Sequence, residues 1–180
     1  MISKIEKLEI PGVYKIILNE HLDSRGSFIK IFNSNIFKEN SLNSVWSEDY
    51  FSISKKHVIR GMHFQEKPHD LYKLVSCLRG QMLDVILDLR KSSFMYKKHI
   101  SLNISSKNPE LIYLPPGIAH GFMAIEEDTL TSYKVSSLYS AKHDKGIHWS
   151  SIGFDWPTND PITSDRDDKF ISLSDYSGDF

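Results

Sequence analysis

The segment spanning residues 81–89 constrains the fold most tightly, because Met82, Asp84, Ile86 and Asp88 alternate there with Leu83, Val85, Leu87 and Leu89. A period of two is the signature of a β-strand, and an apolar set on one face needs another layer to cover it. A second apolar run, residues 72–78, precedes it, with Arg79-Gly80 between them as a turn. The pair is expected to form a β-hairpin with one wholly apolar face.

Further short strands are expected at residues 13–18, 26–32, 97–104, 111–114, 121–125 and 129–136, separated by clusters of Ser, Asn, Asp, Gly and Pro. Only residues 34–40 read as a short helix. Parallel strands need long crossovers that these spacings do not supply, so an antiparallel sandwich or barrel follows. The first choice is an all-β antiparallel jelly roll (a double-stranded β-helix) with short peripheral helices. At 180 residues, 40% of them apolar, the chain suits a single domain with a real core. The stretch after Trp156-Pro157-Thr158-Asn159-Asp160-Pro161 is rich in Ser and Asp, and reads as a linker into a loosely packed C-terminal segment.

Charge excludes several classes of partner. The 22 basic and 23 acidic residues are mixed along the chain and give a net charge of −1, without a polybasic strip for nucleic acid or an anionic membrane. A small polar or phosphorylated ligand remains compatible. The charged N-terminus lacks the apolar core of a signal peptide, and no apolar run approaches the roughly 20 residues of a membrane span, so a soluble, cytoplasmic protein is expected. The single cysteine, Cys77, lies in the apolar stretch Leu74-Val75-Ser76-Cys77-Leu78 and reads as a buried structural thiol.

Two histidine blocks carry the chemistry: Arg60-Gly61-Met62-His63-Phe64-Gln65 and Pro115-Pro116-Gly117-Ile118-Ala119-His120-Gly121-Phe122. His63 follows the strand-like run Val58-Ile59-Arg60, and Pro115-Pro116-Gly117 would present His120 at a barrel mouth just before the next strand. Two barrel histidines invite a metal. A His-x-His pair is absent, however, since His63 has Gln65 two residues on, and the site is read as metal-free acid/base chemistry.

These blocks, together with Lys73-Leu74-Val75, the run from Gly80 to Ser93, Tyr133-Lys134 and Gly153-Phe154-Asp155-Trp156-Pro157, resemble the dTDP-4-dehydrorhamnose 3,5-epimerase family in order and spacing over nearly the whole chain. The resemblance implies a cupin-type jelly roll without cofactor, usually a homodimer, with residues 157–180 folding back towards the site of a single domain. It also implies epimerisation of nucleotide-linked 4-keto-6-deoxy sugars, in which C3 and C5 flank a carbonyl and carry acidified C–H bonds. By motif match His63 is the general base, Asp167 the carboxylate behind it, with Asp165 and Asp168 as competitors, and Tyr133 the proton donor on the opposite side. Lys73 and His120 line the sugar site, where donors near O4 steady the enolate. Arg25 and Arg60 grip the pyrophosphate, a task suited to a planar fork of donors, and Tyr139 stacks on base or sugar. Phe28, Lys30, Glu48, Tyr50, Gln65, Asp144 and Arg166 complete the substrate-contacting set implied by the resemblance.

The chain departs from the family pattern at recognition positions. Arg-Gly-x-Phe-x-Glu appears as Arg25-Gly26-Ser27-Phe28-Ile29-Lys30, and Gln-x-Asn as Glu48-Asp49-Tyr50. A lysine only donates, so it cannot replace a glutamate that accepts from thymine N3–H. The expected carrier is therefore CDP or GDP rather than dTDP. A Lys30–Glu48 ion pair that leaves base choice unchanged is the alternative. Two other functions fit parts of the pattern: a sugar-nucleotide 3,4-ketoisomerase and a non-catalytic sugar-nucleotide binding protein.

Overall fold

An apolar set on one face of a strand needs one covering layer and a strand apolar on both faces needs two, and the strand order shows how that is done. The computed structural model describes residues 1–178 and 180. In chain order the strands are β1 (Ile2–Lys7), β2 (Tyr14–Leu18), β3 (Glu20–Asp23), β4 (Gly26–Ile29), β5 (Glu48–Ser54), β6 (Ile59–Gln65), β7 (Lys73–Arg79), β8 (Gln81–Asp88), β9 (His99–Ser105), β10 (Glu110–Leu114), β11 (Ile118–Ala124), β12 (Thr129–Val135) and β13 (Asp144–Gly146). A six-stranded sheet has the order β1-β2-β10-β7-β12-β5, and a five-stranded sheet the order β13-β6-β11-β8-β9. β3 and β4 form a separate hairpin. Helix α1 (Ser34–Glu39) is capped by the Asn33 side chain, which accepts from the N–H groups of Asn35 and Ile36. The result is the expected all-β, cupin-type jelly roll.

Three apolar layers hold it together. Val75, Cys77, Ile112 and Tyr133 meet Met82, Ile86, Ile104 and Phe122 between the two sheets. On the outer side of the five-stranded sheet, Ile59, Met62, Val85, Leu87 and Met123 are covered by Ile152, Trp156, Leu173 and Tyr176. On the outer side of the six-stranded sheet, Ile16, Leu18, Leu74 and Leu111 are covered by Phe37 of α1 and Leu42. β8 is consequently buried on both faces: Val85 and Leu87 pack on the outer side and Met82 and Ile86 between the sheets, the latter alternating with the buried carboxylates Asp84 and Asp88.

Several expectations change at this point. β7 and β8 do not form a hairpin: β7 pairs with β10 and β12, whereas β8 pairs with β11 and β9. Arg79-Gly80 carries the chain from one sheet to the other, with Gly80 at φ +81°. Two strands buried on both faces look alike whether they share a ladder or face each other, so the apolar pattern could not separate these arrangements. The C-terminal segment is not loosely packed either. Ile162 and Ile171 make isolated bridges to Val58 and Ile147, and Leu173 and Tyr176 are buried. A few apolar residues spaced along a Ser- and Asp-rich tail suffice to close a sheet face.

β6 runs on through His63 and Gln65, and β11 begins at Ile118 directly after the turn at Gly117, where φ is +84°. His120 therefore lies inside a strand rather than on a rim turn, directly across the ladder from His63. The strands β1, β3, β5 and β13 escaped the sequence reading because they are short or largely exposed and no regular set of buried apolar residues marks them. No helix among the described residues is long and apolar enough to cross a membrane.

Candidate active site

A cavity of about 570 Å³ opens between the two sheets and collects side chains from both. From the six-stranded sheet come Glu48, Tyr50 and Ser52 on β5, Lys73 on β7 and Tyr133 on β12; from the five-stranded sheet come Arg60, His63 and Gln65 on β6 and His120 on β11. Tyr139, Asp144 and Arg166 also line it, among apolar residues such as Leu114, Ile118 and Phe122.

His63 Nε2 lies 2.9 Å from Asp167 Oδ1. The other carboxylate oxygen, Oδ2, accepts the Gly61 N–H at 3.0 Å. Of the three candidate aspartates, Asp167 alone is buried and reaches the histidine; Asp168 accepts from the Thr163 hydroxyl at 2.6 Å and Asp165 is exposed. A carboxylate can only accept, so the neutral ring carries its proton on Nε2 and leaves the Nδ1 lone pair available. Burial lowers the His63 pKa and outweighs the opposing pull of Asp167. Burial pushes the Asp167 carboxyl up, but hydrogen bonds from His63 and Gly61, with the His63 charge, hold it below the ordinary value. The pair is thus a neutral imidazole braced by an ionised carboxylate, the state a base needs near neutral pH.

His120 has its own carboxylate, with Nε2 at 2.6 Å from Asp84 Oδ1 and both residues buried. The resemblance did not supply Asp84; a carboxylate between Met82 and Ile86 on an apolar strand was the available signal. Lys73 is buried, and burial lowers its pKa to about 8 even though Asp144 and Asp84 oppose the shift. It remains largely a cation at pH 7. Burial likewise pushes the Tyr133 phenol well above its ordinary value, so the group is a protonated donor. Its ring stacks on Tyr50 with centroids 5.0 Å apart. Arg166 pairs with Asp144 at 3.1 Å and lies over Phe170, whose ring meets His63 edge to face at 5.6 Å.

Gln65 lines the cavity with its amide already bonded to the chain. Its Nε2 donates to the carbonyls of His69 and Leu138, at 3.0 and 3.2 Å, and its Oε1 accepts the Ser140 N–H at 2.7 Å. The amide is occupied in bracing the turn that carries Tyr139. Glu48 joins this brace, accepting the Tyr139 N–H at 2.9 Å. Arg25, Phe28 and Lys30 do not line the cavity of their own chain. They belong to the projecting β3–β4 hairpin and the residue after it, where Arg25 pairs with Asp23 and Phe28 is 61% exposed. Among the described residues no Lys30–Glu48 ion pair forms, because Lys30 lies outside the cavity that Glu48 lines. The described residues also contain no group of three or more His, Cys, Asp and Glu positioned to hold a metal.

Comparison with known proteins gives one consistent result. A family model described as dTDP-4-dehydrorhamnose 3,5-epimerase matches residues 7–175. A dTDP-4-dehydrorhamnose 3,5-epimerase of Shigella flexneri is 38% identical over 171 residues, covering 92% of this chain and 94% of that protein. A dTDP-4-dehydrorhamnose 3-epimerase of Streptomyces niveus is 31% identical over 174 residues, 95% of this chain and 84% of that one. The crystal structure of a dTDP-4-dehydrorhamnose 3,5-epimerase from Sulfolobus tokodaii superposes with a TM-score of 0.93 at 31% identity, covering 100% of both chains.

The two pKa shifts in the His63–Asp167 pair have the same sign for stability. A histidine held below its ordinary 6.5 binds protons more readily in the unfolded chain, and so does a carboxyl held below 3.8; both contributions are present at higher pH and lost on acidification. The thermal midpoint is expected to fall as pH drops through about 6.5, and further towards 3.8. His63→Asn should flatten the first part of that decline, and an unchanged slope in melting curves would remove His63 as its source.

Proposed function

Because the chain belongs to the dTDP-4-dehydrorhamnose 3,5-epimerase family, we propose that its cavity binds a nucleotide-diphospho-4-keto-6-deoxy sugar and inverts C3, C5 or both. It is a sugar-nucleotide epimerase, an isomerase by class. The observation that carries the mechanistic reading is the His63–Asp167 pair on one sheet sharing a cavity with Tyr133 on the other.

In this reading His63 takes the proton from the carbon beside the carbonyl. The C–H electron pair moves into the ring bond, and the carbonyl becomes an enolate whose charge gathers on O4. Asp167 holds the ring in its base tautomer and steadies the imidazolium. Lys73, as a cation, and His120 attend O4, where charge develops in a site of low dielectric. Tyr133 returns a proton from the opposite face, and solvent then resets the imidazolium and the phenolate. Arg60 contacts the pyrophosphate, and Tyr139 stacks on the base or sugar. Membership of an epimerase family favours this over the ketoisomerase and over a non-catalytic binder.

The carrier is proposed to be CDP or GDP. The relatives carry dTDP in their names, and Lys30, Glu48 and Tyr50 are the positions at which this chain departs from the family pattern. The chain is also proposed to form a homodimer. β5 is an edge strand with Phe51 and Ile53 68% and 51% exposed, and Leu22 on the hairpin is 75% exposed, which leaves apolar surface for a second copy. A partner's cavity is the place where the hairpin residues would meet substrate.

Incubation with 4-keto-6-deoxy sugar nucleotides in deuterated water should place deuterium next to the carbonyl. The labelled position separates C3 from C5 chemistry. His63→Asn should slow exchange by roughly 10²–10⁴-fold; full exchange in that variant would overturn its role as base. For the carrier, Lys30→Glu is expected to move relative activity towards the dTDP-linked sugar, and an unaltered order among dTDP, CDP and GDP would reject the proposal. Sedimentation equilibrium should return twice the 20.8 kDa chain mass; a monomer at micromolar concentration would rule out the dimer.

A further inference from the structure

Tyr50 stands directly opposite Tyr133 in the β5–β12 register, and the two rings stack with an interplanar angle of 21°. Among the described residues the Tyr133 hydroxyl has little else to aim it: its side-chain polar contact is a long 3.4 Å approach to Ser52 Oγ. On another side of the ring His120 makes an edge contact with centroids 6.4 Å apart. Ring packing therefore sets the direction of this phenol, and Tyr50 is the closer of the two rings. Tyr133 is buried, whereas Tyr50 is 45% exposed on an edge strand and lines the cavity.

We propose that Tyr50 is a positioning residue for inversion: its ring holds the Tyr133 phenol towards the sugar carbon and so decides the fate of the enolate after proton removal. The proposal rests on Tyr133 being the acid. Once the enolate forms it has two outcomes. Collapse of the O4 charge to a carbonyl with proton transfer from Tyr133 gives the inverted centre, leaving a phenolate on Tyr133 and a proton on His63. Collapse with the proton taken back from His63 restores the original centre and leaves both groups as they began. The imidazolium exchanges its proton with solvent, so in deuterated water the second outcome labels the carbon without inverting it. The base side is built from β6 and the C-terminal segment, so loosening the Tyr50 stack alters the partition and leaves proton removal in place.

The test measures, on 4-keto-6-deoxyglucose carried by dTDP, CDP and GDP in deuterated water, the ratio of label without inversion to inversion. Tyr50→Ala and Tyr50→Asn are expected to raise this ratio roughly two- to tenfold, the equivalent of one aromatic stack, whatever they do to total exchange. Tyr50→Phe keeps the stacking face and should keep the wild-type ratio, whatever it does to KM. An unchanged ratio in both Tyr50→Ala and Tyr50→Asn overturns the proposal, as does a ratio in Tyr50→Phe matching that of Tyr50→Ala. Tyr133→Phe separates the two levels: it should raise the ratio further than any Tyr50 variant, and if it does not, the assignment of Tyr133 as acid fails and the role of Tyr50 falls with it.

Discussion

The site depends on how closely β6 and β11 approach at two glycines. A Cβ on Gly61 would lie 2.5 Å from the Gly121 Cα, and one on Gly121 would lie 2.9 Å from the Arg60 carbonyl oxygen. Gly61 also sits at φ +132°, a conformation that side chains resist. With both positions bare, the strands pair so that His63 meets His120 across the ladder, and the Gly61 N–H turns outward to a carboxylate of the C-terminal segment. One backbone constraint thus brings His63, the Asp167 carboxylate and His120 together.

The two histidines that this pairing brings together do not share a ligand. Each bonds through Nε2 to a carboxylate of its own, Asp167 for His63 and Asp84 for His120, and the two carboxylates reach the site from different elements. His63 is balanced between burial, which favours the neutral ring, and an acceptor that would favour the charged one. A base needs that balance, since it must be neutral beforehand and tolerable as a cation afterwards. Lys73 is under similar tension, stripped of water yet within the fields of Asp144 and Asp84.

The sequence was most legible where a residue's neighbours along the chain determine its setting. The alternation of β8, the turn at Pro115-Pro116-Gly117 and the helix after Asn33 are of this kind. The two motifs and the Asp167 match were legible through resemblance to a family. The facing of β7 and β8 was not, because a strand buried on both faces carries no mark of which neighbour shares its ladder. Nor was the bonding of the Gln65 amide: two donors and one acceptor occupied by loop carbonyls and an N–H are a property of the folded loop and leave no pattern around residue 65. Arg25, Phe28 and Lys30 could be recognised as a motif, yet their distance from their own cavity appears only in three dimensions.

The C-terminal segment that covers the outer side of the five-stranded sheet also delivers Asp167, so one stretch of chain serves as both cover and part of the site. Segments held by a few apolar anchors open more readily than a ladder of strands. If this cover lifts, His63 loses its carboxylate while both sheets stay paired. With His63 as the proposed base, catalytic competence and barrel integrity are then separate quantities in this molecule, and a preparation with full β-sheet content can still be silent.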